Sequence, residues 1–260
     1  MVAFSTIPSG LLIPGFFAEM DASRAQAGTV PQRALLIGQT VTAAAAVPAF
    51  ITTADAAAAA FGAGSMLSRM VAAYRANDPF GELWALPVAD NGSGVAATKT
   101  VTVTGPATGA GTINLYVAGQ RVAIGVASGD SANSIATAIN AAVGAVGTLP
   151  VTSGVSGAVV TLTARNKGVL GSAIDVRHSY RGAQGGEALP AGVGVTIAAG
   201  VAGATDPVLT GLDAAMADIE YDFIAAAWPD TTALDIYKSI MSDAAGRWAW
   251  LRQVYGHVWT

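Results

Sequence analysis

Several groups of residues in this chain have types and spacings that could support chemistry. The first is Gly62-Ala63-Gly64-Ser65, which precedes a helix-like segment and could therefore hold a phosphate on backbone N–H groups. A P-loop needs a lysine directly after its second glycine, but here Ser65 and Met66 follow it and no lysine is near. We therefore interpret the two glycines as permitting a tight junction between helices.

Histidines and serines give no stronger signal. The two histidines, His178 and His257, lie in strand-like segments far apart in the sequence, and neither has a companion at ligand spacing. A metal site needs three or four ligands, and the chain has no cysteine. The Gly-x-Ser-x-Gly pattern of a nucleophile elbow is also missing from the sequence. We predict no catalytic, cofactor-binding or metal-binding residues.

Three acidic residues, Asp218, Glu220 and Asp222, form the remaining candidate group. Paired carboxylates carry out glycoside hydrolysis when they flank a sugar-binding cleft. Here the residues are spaced by two across a predicted helix–strand junction, which favours an exposed acidic rim over a catalytic pair.

The composition points towards assembly. Hydrophobic residues make up 52% of the chain and charged residues 12%, about half of the ~25% typical of soluble domains. Large apolar surfaces usually find partners, although an Ala- and Gly-rich composition would lower the charge by itself. An aromatic group near the end suits core packing or an interface better than a ligand platform. It consists of Trp248, Trp250, Tyr255 and Trp259.

The elements that must position these residues begin with an arm at 1–32, rich in proline and glycine and without helical periodicity. Apolar pieces such as Leu11–Ile13 could pair there as edge strands. The start lacks the basic and apolar regions of a signal peptide. The uncharged stretch Ala34–Ala54 contains Pro48 and several threonines, so we predict no stable membrane span.

Residues 33–94 alternate between β and α patterns, which predicts the first part of an α/β core domain. The predicted elements are a buried strand at Arg33–Gly38, a helix from the Thr53 cap to Gly62, a helix that Ser65 caps and Asn77-Asp78-Pro79 ends, and a buried strand at Leu83–Val88.

Residues 95–202 change character, because Gly, Thr, Val and Ala dominate and apolar residues alternate with polar ones. We predict an inserted, outward-facing β-rich domain, either α+β or sandwich-like. Its predicted elements are strands around Val101–Val103, Ile113–Val117, Val122–Val126, Val159–Thr163, Ile174–His178 and Val193–Ile197, a turn at Gly119-Gln120, and a helix that Asp130 or Ser131 caps.

Residues 203–260 return to the alternating pattern and predict the second, truncated part of the core. The predicted elements are a helix at Pro207–Asp218, a strand at Tyr221–Ala227, a helix from the Thr231/Thr232 cap to Gly246, and a strand at Gln253–Trp259. Together the outer parts predict an α/β fold with a mostly parallel sheet flanked by helices. Because the chain stops in a strand-like segment without a cap, we expect a fragment of a longer protein.

Charge is divided along the same boundaries. Residues 95–202 hold six basic and three acidic residues, whereas the rest of the chain holds seven basic and fourteen acidic residues. Between Arg181 and Lys238 there are eight acidic residues and no basic one. Opposite patches of this kind can steer and register copies of one subunit, with two ordinary solvated faces as the alternative. The basic cluster that precedes this stretch is too small to predict nucleic-acid binding; it consists of Arg165, Lys167, Arg177 and Arg181.

Several stretches resemble the tail sheath proteins of Mu-like contractile-tailed bacteriophages. The likeness covers the outer thirds of the chain, and residues 95–202 are similar only in composition and position. The stretches that carry the resemblance are Phe4–Ser9 with Pro14, Gly28–Gln39, Ala60–Leu67, Glu82–Pro87, Tyr221–Ile224, Trp228–Asp230 and Gly246–Trp248.

This resemblance implies a structural role without enzymatic activity. Sheath subunits polymerise around a tail tube, and contraction of the lattice drives the tube through the host envelope. The implied partners are copies of the chain, the tail tube, the baseplate and the tail terminator. The implied location is the virion tail, with the host cytoplasm as the place of assembly. Extended arms that add strands to neighbouring sheets would connect the lattice.

Three alternatives remain open at this point. A related contractile injection device, such as an R-type pyocin, would use a similar sheath. A capsid or tail decoration module would be a self-contained monomer without strand exchange. An enzyme on a Rossmann-like core would show a crevice lined with ionisable groups where the strand order reverses.

Overall fold

The computed structural model describes residues 32–43 and 45–260, so the predicted arm at 1–32 lies outside the described residues except for Gln32. Within the described part the chain forms twelve strands, five α-helices and three sheets. The predicted mixed α/β class is therefore confirmed. None of the helices in these residues is long and apolar enough to cross a membrane.

The strands are β1 (Arg33–Gln39), β2 (Ala49–Phe50), β3 (Glu82–Val88), β4 (Thr98–Thr104), β5 (Gly111–Val117), β6 (Gln120–Val126), β7 (Val151–Ser156), β8 (Val159–Ala164), β9 (Val176–His178), β10 (Gly194–Ala199), β11 (Phe223–Ala226) and β12 (His257–Trp259). The helices are α1 (Ala54–Phe61), α2 (Met66–Asn77), α3 (Ala132–Ala145), α4 (Leu212–Met216) and α5 (Thr231–Ile240). Short 3-10 turns lie at Val169–Ala173 and Ala183–Gly185.

One sheet has five strands in the order β12-β11-β1-β3-β2. Its first three strand pairs are parallel, and β2 pairs antiparallel with β3 at one edge. The other two sheets, β10-β4-β8-β7 and β6-β5-β9, are antiparallel throughout. Parallel pairing is therefore confined to one sheet and is not a property of the whole chain.

Helices cover both faces of the five-stranded sheet. On β1, Leu36 faces the side where α1 and α2 pack, and Leu35 and Ile37 face the side where α4 and α5 pack. This alternation follows from the two-residue period of a strand, and it explains why β1 reads as a continuous apolar run. All three side chains are buried.

Helix starts follow the predicted caps in three cases of four. Thr53 Oγ1 accepts from Ala56 N at 3.1 Å, and Ser65 Oγ accepts from Ser68 N at 3.2 Å. Ser131 caps α3 in the same way. The predicted Thr231/Thr232 cap of α5 is wrong, because the side chain of Asp230 caps it instead and accepts from the N–H three residues later.

Two predicted helices are shorter than expected. The helix predicted at Pro207–Asp218 contains only the five residues of α4, because it starts after Gly211 and ends where Ala217 adopts a positive φ of 47°. The helix α5 ends at Ile240 rather than near Gly246. There the carbonyl of Ile240 accepts from the N–H of Arg247 at 2.7 Å, so the chain turns back instead of continuing.

In the β-rich part, α3 and the inner faces of the two antiparallel sheets share one hydrophobic cluster. The predicted alternation is confirmed here, since Val101, Ile113 and Ile124 are all buried. The strand β7 was not predicted, because its sequence VTSGVS has only two apolar residues and places a glycine in the middle.

The turn between β5 and β6 differs by one residue from the prediction. It consists of Ala118 and Gly119, with φ of 50° and 81°, and Gln120 already pairs with Val117. Two consecutive positive φ values are what a two-residue hairpin turn requires.

Candidate assembly interface

The glycine motif forms a tight junction and leaves no room for a phosphate. The first N–H of α2, on Met66, donates to Asn166 Oδ1 at 2.9 Å. A Cβ on Gly64 would lie 2.2 Å from the carbonyl oxygen of Leu149. The sequence predicted a junction between two helices. In the structure the junction also includes the loop before β7.

The two histidines lie on different sheets, His178 on β9 and His257 on β12. The ring of His257 packs edge-on against Trp248, with centroids 6.1 Å apart. Among the described residues, no group of three His, Asp or Glu side chains is arranged to hold a metal ion.

The three carboxylates of the acidic rim serve different contacts. Asp218 pairs with Arg252 Nε at 3.0 Å, and Asp222 accepts from the backbone N–H of Arg33 at 2.7 Å. Glu220 is exposed and has no hydrogen-bond or ion-pair partner in the described part of the chain. These contacts hold the α4–β11 loop in place and do not form a paired catalytic site.

The edge strand β12 is the first element of a candidate interface. In the described residues it pairs only with β11. The N–H of His257 donates to the carbonyl of Asp222 at 3.0 Å. Along a strand, the backbone N–H and C=O groups of successive residues point alternately towards one neighbouring strand position and towards the other. The backbone N–H of Val258 therefore faces away from the sheet, towards the open edge.

Large apolar side chains on β12 and in the segment that precedes it are exposed. Trp250 and Leu251 are each 76% exposed, and Trp259 is 63% exposed. A groove of about 350 Å³ runs between α5 and β12 and is lined largely by apolar side chains. The lining residues are Tyr237, Lys238, Met241, Trp248, His257, Val258 and Trp259. An open strand edge beside large exposed apolar groups is a surface suited to strand addition.

A buried arginine holds this surface in position. Arg247 is only 1% exposed, and its guanidinium donates to the carbonyl of Ala217 at 2.5 Å and to the carbonyl of Ile219. Burial lowers the pKa of Arg247, and Asp213, 3.8 Å away, opposes that shift. The sequence pattern predicts no role for Arg247 beyond its place in the Gly246–Trp248 stretch of the resemblance.

Arg252 completes the same attachment. Its guanidinium pairs with Asp213 at 2.8 Å and with Asp218 at 3.0 Å. These charge-assisted hydrogen bonds raise the pKa of Arg252. The segment between the two arginines carries Trp248 and Trp250, so both aromatic residues are anchored to the α4–β11 loop.

The opposite edge of the sheet is short. The strand β2 has two residues, and Phe50 packs edge-on against Trp84 with ring centroids 5.7 Å apart. Phe50 is half exposed, and Phe80 on the α2–β3 loop is almost fully exposed. This edge offers little backbone for pairing, which leaves β12 as the more accessible edge.

A buried polar junction ties the β-rich part to the five-stranded sheet. The carboxylate of Asp90 accepts from Gln39 Nε2 at 2.7 Å, from Asn166 Nδ2 at 3.2 Å and from Lys167 N at 3.0 Å. Asn166 also donates to the carbonyl of Thr40 at 3.1 Å. The sequence did not reveal this junction, because its members lie up to 128 residues apart.

The crevices near this junction do not resemble an enzyme site. A cavity of about 640 Å³ at the carboxyl end of β3 is lined by a single ionisable side chain, that of Asp90. A second cavity, of about 350 Å³ beside α2, contains Arg69 among mainly apolar groups. Neither cavity brings together an acid, a base and a nucleophile.

The fold and these surfaces define a class of protein: an α/β protein with helices on both faces of one sheet, an edge strand that pairs on one side only among the described residues, and exposed aromatic side chains near it. Comparison with known proteins shows what the chain is similar to within that class. The chain is 34% identical over 264 residues to the Mu-like prophage FluMu tail sheath protein of Haemophilus influenzae.

This match covers 98% of the chain, so the predicted resemblance to Mu-like tail sheath proteins is confirmed. It includes residues 95–202, where the sequence motifs alone gave no specific likeness. The chain spans about half the length of this curated relative, 52% of it. No protein-family model matches the chain.

Proposed function

We propose that the chain is the N-terminal part of a structural subunit of a contractile phage tail sheath and has no enzymatic activity. The observation that carries this proposal is the 34% identity to a tail sheath protein across 98% of the chain. The open β12 edge and the exposed aromatic surface supply a physical means of assembly. The proposed location is the virion tail, after assembly in the host cytoplasm.

In this proposal the five-stranded sheet, with three parallel strand pairs, is the core that carries the strand-addition contact between copies. The core comprises residues 33–94 and 203–260. Residues 95–202 are the insert, which faces outward. This division is supported by the sheets, since the chain leaves the five-stranded sheet after Val88 and re-enters it at Phe223. The proposed partners are further copies, the tail tube, the baseplate and the tail terminator.

Strand addition at β12 is the proposed contact between copies. An extended segment of a second copy pairs with the N–H of Val258 and its side chains enter the groove between α5 and β12. The sequence-predicted arm at 1–32 is the proposed donor. Contraction would then be a change from one packing of rigid subunits to a tighter one, with no nucleotide consumed.

A proline substitution tests this contact. Val258→Pro removes one edge-facing N–H but leaves the ladder bonds of His257 and Trp259 to β11, so the fold is expected to survive while polymers are lost. Val258→Thr is the matched control, because it keeps both the N–H and the side-chain shape. Both proteins are examined by electron microscopy and by thermal unfolding. Polymers of normal length and number from a folded Val258→Pro protein would contradict strand addition at β12.

A further inference from the structure

The outer face of the three-stranded sheet carries a row of side chains that the sheath contacts proposed above do not use. Tyr116 on β5 pairs across the ladders with Arg121 on β6 and with Arg177 on β9. Its neighbours Leu115 and Val117 point to the opposite face and are buried in the core. The alternation of strands therefore places the tyrosine and both arginines together on the outer face.

The loop after β9 extends this row. The ring of Tyr180 lies 5.7 Å from that of Tyr116, and the guanidinium carbon of Arg177 lies 5.8 Å from the centre of the Tyr180 ring. Tyr180 is 66% exposed, and Arg181 next to it is exposed as well. We call these five residues the Arg–Tyr face: Tyr116, Arg121, Arg177, Tyr180 and Arg181.

A buried carboxylate fixes the face in one conformation. Glu187 accepts from the hydroxyl of Tyr116 and from the backbone N–H of Arg181, the latter at 2.9 Å. Because Glu187 is only 3% exposed, its carboxylate does not make direct contact with a partner that docks on the outside. The loop that presents Tyr180 and Arg181 is therefore preorganised, which lowers the entropic cost of binding.

Two guanidinium groups of the face have no close ion-pair partner in the described part of the chain. Arg177 pairs with Asp175 at 2.8 Å, whereas Arg121 and Arg181 make no ion pair there and interact with the buried Glu187 carboxylate only at longer range. Arginine and tyrosine are the residue types enriched at interface hot spots, and arginine binds carboxylates bidentately. The chemistry of the face thus fits a protein surface that presents carboxylates.

We infer that the Arg–Tyr face docks on exposed carboxylates of a second copy of this chain. Every copy carries candidates in the stretch 182–237, which contains no basic residue. In this stretch, Glu220 and Asp235 are exposed and have no ion-pair partner among the described residues. A contact between two different surfaces of one chain is heterologous and generates an open helical array. The choice of a second copy as partner rests on the proposed function.

Charge-reversed chains test this inference. One variant carries Arg121→Glu and Arg181→Glu, and the other carries Glu220→Lys and Asp235→Lys. Each is expected to weaken self-association by about tenfold or more in sedimentation velocity at low salt, and an equimolar mixture of the two is expected to restore it. At ~1 M salt, where the screening length falls to ~3 Å, wild-type self-association by this contact is expected to vanish. Lys99→Glu, which shifts the net charge by half as much as either double variant, is the control for a charge change elsewhere on the chain, and thermal unfolding checks that all variants fold.

The inference is overturned if the Arg121→Glu, Arg181→Glu chain self-associates as the wild type does, or if the mixture fails to recover association. It is also overturned if the wild type is monomeric at low salt. If the Arg121→Glu, Arg181→Glu chain loses binding to heparin but self-associates as the wild type does, the inference is overturned and the face binds an anionic polysaccharide instead. Normal helical polymers from the variant would reject this inference alone, whereas failure of the wild-type protein to polymerise would reject the proposed function.

Discussion

At the scale of single residues, the buried arginine of the C-terminal segment links the sheet to the aromatic surface. The guanidinium of Arg247 satisfies two carbonyl groups at the end of α4, where Ala217 has a positive φ that a helix cannot continue. Arg252 reinforces the same loop through Asp213 and Asp218. The predicted helix at Pro207–Asp218 therefore ends early at Met216, and the two arginines hold the loop that follows it.

Replacing this arginine tests its role. Arg247→Met is expected to lower the free energy of unfolding by about 3 kcal/mol or more, because buried carbonyls lose their donors. Urea unfolding followed by tryptophan fluorescence measures the effect. Arg121→Met, at an exposed position, is the control and should leave the unfolding midpoint nearly unchanged. Equal stability of the two variants would contradict the role given to Arg247.

For the buried tyrosine hydroxyl of α5, removal is expected to affect stability in the opposite direction to Arg247→Met. The hydroxyl of Tyr237 is buried without a hydrogen-bond partner in the described structure, and this burial raises the pKa of the group. Tyr237→Phe is therefore expected to be neutral or stabilising by up to about 1 kcal/mol. Tyr74→Phe is the matched comparison, because Tyr74 donates to Asp78 Oδ2 at 2.9 Å and should lose stability. Thermal unfolding of both variants decides between these expectations, and destabilisation by Tyr237→Phe would reveal a partner for its hydroxyl.

At the scale of elements, the sequence was informative wherever a local pattern decides the structure. Thr53 and Ser65 indicated where α1 and α2 begin, and alternating valines and isoleucines indicated β4 to β6. The interactions that it could not reveal are long-range. The shortening of α4 and α5 depends on contacts with Arg247, and β7 forms because β8 supplies a partner for a weak strand sequence.

The polar junction is the clearest case of such a long-range interaction. Asp90, Gln39 and Asn166 are ordinary polar residues in the sequence, and only the fold brings them together. Once buried, their hydrogen bonds must be satisfied mutually, which fixes the loop before the Val169–Ala173 turn against the ends of β1 and β3.

Asp90→Asn tests this junction. The new amide retains only one acceptor oxygen. When that oxygen keeps the hydrogen bonds from Gln39 Nε2 and Asn166 Nδ2, the NH₂ group faces the N–H of Lys167, which is also a donor, so a loss of about 1–3 kcal/mol of stability is expected. Hydrogen exchange should show reduced protection of the Lys167 amide. Asp55→Asn, on an exposed position of α1, is the control and should change neither measurement. Unchanged protection of the Lys167 amide in Asp90→Asn would contradict the role given to Asp90 in the polar junction.

At the scale of the whole molecule, the proposed assembly would explain together the low charge, the exposed aromatic residues and the β12 edge, which has no second strand partner among the described residues. A chain with 12% charged residues and Trp250, Leu251 and Trp259 on its surface is suited to burial against other copies. The candidate site was only partly predictable from the sequence. The aromatic group and the charge division were visible in it, but the edge-facing N–H of Val258 and the Arg–Tyr face depend on strand pairing.

Electron microscopy of the protein expressed from its complete reading frame tests the central claim most directly. The account predicts hollow cylinders with a regular helical repeat, in which the five-stranded sheet of each copy gains a strand from a neighbour. A solution of single, compact molecules at every protein concentration, with the β12 edge covered within each molecule, would contradict it.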